Sequence, residues 1–281
     1  MNLIKQKNIV LKGEKDFLAD AIFHKTENQL PLIIFVHGYK GYKDWGVWEL
    51  MGVKFAKAGF YFVKFNMSHN GTTIEDPNNF ADLEAFGQNN FSKELADLEV
   101  VIDYFKNQKE VDSNNIILIG HSRGGGVSVI KSSENKNITK LITLASISTL
   151  DRFPKNEDFE NWKKDGVYYI EHARTKQQLP HYFQFFEDYE NNKERFDVEN
   201  SCKNLIIPSL FIHGSADEAV ESKHSENLHH WTNNSQFEII ENAGHTFGAK
   251  EPWESDSLSK ELSEAVEICI DFLKENNFQG K

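Results

Sequence analysis

The chain predicts an α/β fold: a mainly parallel, twisted sheet of about eight strands with helices on both faces and a helical cap insertion. Three observations carry this expectation. Short, nearly continuous apolar runs, such as Leu32-Ile33-Ile34-Phe35-Val36 and Ile116-Ile117-Leu118-Ile119, have the length and character of strands buried on both faces. They alternate with stretches whose apolar residues recur at helical spacing. Between residues 148 and 203 the alternation stops, and a polar, aromatic-rich stretch lies between two strands. With 281 residues, one sheet plus an insertion accounts for the whole of 1–281 as a single domain.

Taken in order, residues 8–11 and 17–23 read as a leading strand pair, followed by a strand over 32–36. A helix is expected over 46–58, closed by Gly59 in a left-handed cap. Residues 60–65 form the next strand. From Phe91 onward, Leu95, Leu98, Val101, Ile102 and Phe105 make one apolar helical stripe that packs on the sheet before Ile116 begins a new strand. Strands follow at 141–144, 209–212 and 237–240. The last helix presents Leu258, Leu262, Ala265, Val266, Cys269, Ile270 and Leu273 on one face. Within 148–203, Phe153, Phe159, Trp162, Tyr168, Tyr169, Tyr182, Phe183, Phe185, Phe186, Tyr189 and Phe196 crowd a helix-compatible stretch. Most are expected to bury one another as a cap must, with a minority walling a pocket.

The chemistry concentrates where strands end. Gly120-His121-Ser122-Arg123-Gly124 follows an apolar strand directly and fits the pattern that lifts a serine onto a strained strand-to-helix turn. A serine hydroxyl is a weak nucleophile at neutral pH, so Ser122 needs a base within hydrogen-bond reach and donors for the oxyanion formed on attack. The N–H of Arg123, at a helix opening, is one expected donor. The loop His37-Gly38-Tyr39-Lys40-Gly41 is placed to provide the second, from the N–H of Tyr39. Two later strands end in His213-Gly214-Ser215-Ala216-Asp217-Glu218 and Ala243-Gly244-His245-Thr246-Phe247. Ser122, Asp217 and His245 thus occur in the chain order Ser, Asp, His, which differs from the orders of unrelated serine-triad folds.

On these motifs the sequence resembles the α/β-hydrolase superfamily, and within it serine carboxylesterases of the cinnamoyl (feruloyl) esterase type, from about Leu32 to Phe247. The shared features are the nucleophile turn, the His-Gly-x-x-Gly loop, the His-Gly-x-x-Asp acid loop and the Gly-His-x-Phe ending. One stretch departs from the family's pattern: Asn66-Met67-Ser68-His69-Asn70-Gly71-Thr72 stands where a Gly-His-Gly-x-Ser-like loop is common. The resemblance implies ester hydrolysis without a cofactor, leaning toward short or aromatic acyl groups. Ser122 would be acylated, His245 would carry the proton, and Asp217 would orient and stabilise the imidazolium. A serine peptidase similar to the prolyl oligopeptidase catalytic domain, or a non-catalytic ligand-binding relative, are the alternatives. Glu218 and Asp151 compete for the acid role, while His37 and His213 are expected to orient loops and His121 to be locked beside the nucleophile, pointing elsewhere.

Other classes are disfavoured. A formal net charge of −12 argues against nucleic-acid partners, and the expected partner is a small-molecule ester. His224, His229 and His230 with Glu221 lack metal-ligand spacing and are expected on a solvated helix face, so no metal is predicted. No phosphate loop or dinucleotide fingerprint occurs. Cys202 and Cys269 give no disulfide framework. The N-terminus lacks a secretory leader and no run is long enough to span a bilayer, so the expected address is cytoplasmic and away from membranes, leaving the sequons at 70–72 and 137–139 without glycosylation.

Overall fold

A computed structural model describes residues 2–275. Met1 and residues 276–281, which the single-domain expectation includes, lie outside them. In chain order the elements are β1 (Leu3–Lys12), β2 (Asp16–His24), β3 (Leu30–Val36), α1 (Trp48–Lys57), β4 (Tyr61–Phe65), α2 (Leu83–Gly87), α3 (Phe91–Phe105), β5 (Val111–His121), α4 (Arg123–Glu134) and β6 (Ile138–Leu144). They continue with α5 (Asn156–Asp165), β7 (Val167–Glu171), β8 (Gln178–Tyr182), α6 (Gln184–Asn191), α7 (Val198–Asn204), β9 (Ser209–Gly214), α8 (Lys223–Trp231), β10 (Ser235–Ile240) and α9 (Lys260–Lys274).

Eight strands form one sheet in the order β1-β2-β4-β3-β5-β6-β9-β10. The β1–β2 and β2–β4 pairs are antiparallel, and every later pair, β4–β3 through β9–β10, is parallel. The strands read as continuous apolar runs because both faces are covered. Leu32, Ile34 and Val36 point into one core with Leu95, Leu98, Val101 and Ile102 of α3 and Val127 and Ile130 of α4. Ile33 and Phe35, on the alternate positions, point into the other with Met51 and Phe55 of α1 and Leu262, Val266 and Cys269 of α9. Each such buried side chain contributes roughly 1.5–3 kcal/mol relative to exposure.

Helix α1 begins later than expected, at Trp48 rather than Gly46. Gly46 has φ +52°, outside the helical region, and its N–H donates to the Glu251 carboxylate at 2.5 Å. Gly59, with φ +102°, turns the chain after α1 as expected. The stretch between β6 and β9 is a second difference. Beside α5, α6 and α7 it contains an antiparallel ribbon, β7–β8, pairing Val167 with Tyr182 and Glu171 with Gln178. The β-branched and aromatic run Val-Tyr-Tyr-Ile at 167–170 favours an extended chain over the helix expected there. Among the described residues, no helix is long and apolar enough to cross a membrane.

Candidate active site

Ser122 sits between β5 and α4 with φ +55° and ψ −120°. This conformation is costly for a residue with a Cβ, of order 1–3 kcal/mol, and it is held by its surroundings. The Ser122 N–H donates to the Leu144 carbonyl of β6 at 3.0 Å, and its own carbonyl accepts from Gly125 at 3.0 Å. Gly124 is required on packing grounds: a Cβ there would lie 2.3 Å from the Val36 carbonyl oxygen and 2.4 Å from that of His37. The start of α4 is therefore pressed against the loop that leaves β3. The same loop touches the serine, since a Cβ on Gly38 would lie 2.9 Å from Ser122 Cβ.

The three residues singled out at strand ends converge. Ser122 Oγ lies 3.0 Å from His245 Nε2, and His245 Nδ1 lies 2.8 Å from Asp217 Oδ2. An ionised carboxylate only accepts, so Nδ1 carries the proton and Nε2 is free to accept from the serine hydroxyl. Asp217 Oδ1 accepts from the N–H groups of Ala219 and Val220, both at 2.9 Å, and Oδ2 also faces His213 Nε2 at 3.2 Å. Burial alone pushes this carboxyl upward. Hydrogen bonds from His213, His245 and the Val220 N–H more than reverse that, holding it far below the usual carboxylate range. Asp151 and Glu218 are both exposed and do not reach His245.

His37 and His213 hydrogen-bond to loop carbonyls, as expected of them, and His121, beside the nucleophile and pointing away from it, reaches the backbone of His245. His121 Nε2 donates to the His245 carbonyl at 2.9 Å and fixes the backbone of the loop after β10. Burial depresses its pKa to about 3, so it remains neutral. His37 Nδ1 donates to the Gly38 carbonyl at 2.9 Å, with its pKa lowered by burial to about 4. His213 donates to the Val220 carbonyl and accepts from Ser225 Oγ, which orients Nε2 toward Asp217.

The expected oxyanion donors are the N–H of Arg123, next to Ser122 in the chain, and that of Tyr39, which follows the Gly38 that approaches Ser122. Arg123 is the first residue of α4, so its N–H has no carbonyl one turn earlier in the helix. Tyr39 N–H has no hydrogen-bond partner among the described residues. Two side chains here were not anticipated. The Arg123 guanidinium donates to Glu94 of α3 at 3.0 Å and lies 4.4 Å from the centroid of the Tyr39 ring. Tyr39 Oη donates to Nε2 of His181 on β8 at 2.6 Å, and burial lowers the pKa of His181 to about 3, so its ring is neutral.

Ser122 and His245 border two cavities. One, of about 520 Å³, is walled by Ile147, Leu150, Phe153, Trp162, Tyr168 and Phe185 among others. The second, of about 230 Å³, is bounded by Trp45, Trp48, His172 and Thr246. Of the aromatic residues between β6 and β9, Phe159, Phe183 and Phe186 pack with Trp162, and Tyr189 packs with Phe196, away from the serine. His224 corrects an expectation: it is half-buried rather than solvated, its Nδ1 accepting from the Ser148 N–H and hydroxyl at 3.0 and 2.8 Å. It does not gather with His229, which stacks on Phe237, or with exposed His230.

A family model described as "BAAT / Acyl-CoA thioester hydrolase C terminal" matches residues 95–252, and a dienelactone hydrolase family model matches 18–144. The mouse monoacylglycerol lipase ABHD6 is 23% identical over 272 residues, covering 84% of this chain and 76% of that protein. Among solved structures, Est1E from Butyrivibrio proteoclasticus with bound ferulic acid superposes with a TM-score of 0.71 at 18% identity, covering 95% of this chain and all of that one. The α/β hydrolase GrgF from Penicillium sp. sh18 gives 0.67 at 14% identity, with 98% of each chain covered. With its eight-stranded sheet and the match spanning more than half its length, the chain is an α/β-hydrolase and belongs to the BAAT / acyl-CoA thioester hydrolase C-terminal family.

Proposed function

We propose that the protein hydrolyses carboxylic esters through an acyl-enzyme on Ser122. One observation carries the reading: the unbroken relay from Ser122 Oγ to His245 Nε2 at 3.0 Å and from His245 Nδ1 to Asp217 Oδ2 at 2.8 Å, opening onto the two cavities. His245 Nε2 takes the hydroxyl proton as Oγ attacks the ester carbonyl carbon. The carbonyl oxygen becomes an oxyanion facing the N–H groups of Tyr39 and Arg123. Asp217, ionised and fully partnered, stabilises the imidazolium. The C–O bond to the alcohol then breaks and the alcohol leaves with the proton from Nε2. Water attacks the acyl-serine by the same route, releasing the acid and restoring Ser122. The stretch over 148–203 serves as the cap, its Phe153, Trp162, Tyr168 and Phe185 forming an apolar wall suited to short or aromatic acyl groups.

The family match over 95–252 favours a second substrate class, thioesters, which the same relay would open with a thiol as leaving group. Turnover of p-nitrophenyl acetate by the wild type, lost by about a millionfold in Ser122→Ala, is the expected result. Equal rates in the two proteins would overturn the reading. Comparing matched oxygen and sulfur esters of butyrate by kcat/KM separates the two substrate classes.

A further inference from the structure

The protein carries a net charge of −12, yet the space around Ser122 is cationic. Lys40, Arg123 and Arg152 line the larger cavity, and Lys40 also borders the smaller one. Among the described residues, no aspartate or glutamate lines either cavity. Arg123 is partly neutralised from behind by Glu94, and Arg152 touches His224 Nε2 at 3.3 Å. Lys40 differs from both: among the described residues it makes no ion pair or hydrogen bond, and its ammonium lies 5.1 Å from the Tyr39 ring centroid. It is held there on a backbone with φ +58°, a left-handed conformation that a lysine adopts at a cost. Half-burial and the nearby Arg123 both disfavour its charged form and lower its pKa. Uncompensated positive charge bordering a largely apolar cavity is unfavourable, and an incoming anion relieves it.

We propose that the natural substrate is an ester bearing a carboxylate, and that Lys40, supported by Arg123, receives that carboxylate and sets the preference for it. The proposal rests on the ester-hydrolase reading. It places the reacting carbonyl at Ser122 and the charged end beside Lys40, with the hydrocarbon between them against the apolar wall. A charge-assisted hydrogen bond of this kind corresponds to about ten- to a hundredfold in selectivity.

Two ester pairs test it: p-nitrophenyl butyrate against mono-p-nitrophenyl glutarate, and phenyl acetate against 4-acetoxybenzoate. The first carries the anion on the acyl side and the second on the alcohol side. In at least one pair the wild type should favour the anionic member in kcat/KM by about tenfold or more, and added salt should shrink that ratio. Lys40→Met should bring the ratio close to unity, whereas Lys40→Arg should retain most of it. A wild type that favours the neutral member of both pairs would overturn the proposal. So would a ratio unchanged in Lys40→Met, or lost equally in Lys40→Arg. If the wild type hydrolyses no ester, the ester-hydrolase reading fails, and calorimetry with glutaranilate against butyranilide tests the anion site separately. Preference for glutaranilate that disappears in Lys40→Met would uphold the site; equal binding would remove it.

Discussion

Two buried clusters of charged and polar groups flank the loop that follows β3, and they are built on opposite plans. On one side, Asp20, Lys43 and Lys64 are almost wholly buried and satisfy one another: Asp20 Oδ2 accepts from Lys43 at 3.0 Å and from Lys64 at 2.9 Å. Asp44 bonds both lysines, and Glu49 extends the cluster to Lys5 and Lys7 at the surface. Asp20, Asp44 and Glu49 bring carboxylate oxygens close enough to share a cation, but the two ammonium groups already serve that purpose. On the other side, Ser122, His245 and Asp217 form a chain that is saturated at its buried end and open at the other. All of Asp217's acceptor capacity is used, while Ser122 faces two cavities. Burial and charge therefore do not distinguish a candidate active site from a structural cluster. The difference lies in whether polar groups are left facing space that a ligand can enter.

Substitutions at each cluster should break this contrast in different observables. Asp217→Asn should lower kcat by about ten-thousandfold, because an amide placed against Nδ1 favours the wrong tautomer of His245. Asp151→Asn and Glu218→Gln serve as comparisons and should stay within about twofold of wild type in kcat/KM, given exposed surface positions. A reversal between Asp217 and Asp151 would reassign the acid. Lys64→Met acts on the closed cluster and should cost about 3–5 kcal/mol in denaturant unfolding, since it leaves Asp20 buried with one cation fewer.

A third buried carboxyl sharpens the comparison. Asp97 accepts the Ser68 N–H at 2.7 Å, but the charges acting on it, from Glu94 and Glu14, are negative. Burial, with those neighbours adding to it, raises its pKa from 3.8 to about 7. A carboxyl whose folded pKa exceeds its unfolded value binds protons more tightly in the folded state. Its contribution to stability therefore falls as pH rises from about 4 to about 7, and the full penalty applies above that window. Asp97→Asn should stabilise the protein at pH 8 relative to wild type by a few kcal/mol, roughly 2–4, with the gain vanishing toward pH 4. A gain independent of pH would show that the carboxyl is not the titrating group.

Local signals account for what the sequence made legible. The parallel strands are read from apolar runs, because a two-sided sheet demands consecutive apolar residues through Leu32–Val36 of β3, Ile116–Ile119 of β5 and Leu210–Ile212 of β9. Ser122, Asp217 and His245 are read because each immediately follows such a run within a short motif. Contacts between distant elements leave no such mark. Nothing near Arg123 points to Glu94, 29 positions upstream, and nothing near Tyr39 points to His181, 142 positions away. The spacing of His213, four residues before Asp217 and at the end of the same strand, was the signal by which its contact with the carboxylate was open to inference. The β7–β8 ribbon was obscured by the polar residues around it, although Val167, Tyr168, Tyr169 and Ile170 are all good strand formers.

On the proposed mechanism, Ser122 Oγ is the nucleophile that becomes acylated. This role is tested most directly by incubating the full chain with a fluorophosphonate and locating the added mass by peptide mass spectrometry. One adduct per chain, on the peptide containing Ser122, with ester hydrolysis lost in parallel and no labelling of Ser122→Ala, is the predicted result. Labelling at another residue, or hydrolysis that persists after Ser122 is fully modified, would contradict it.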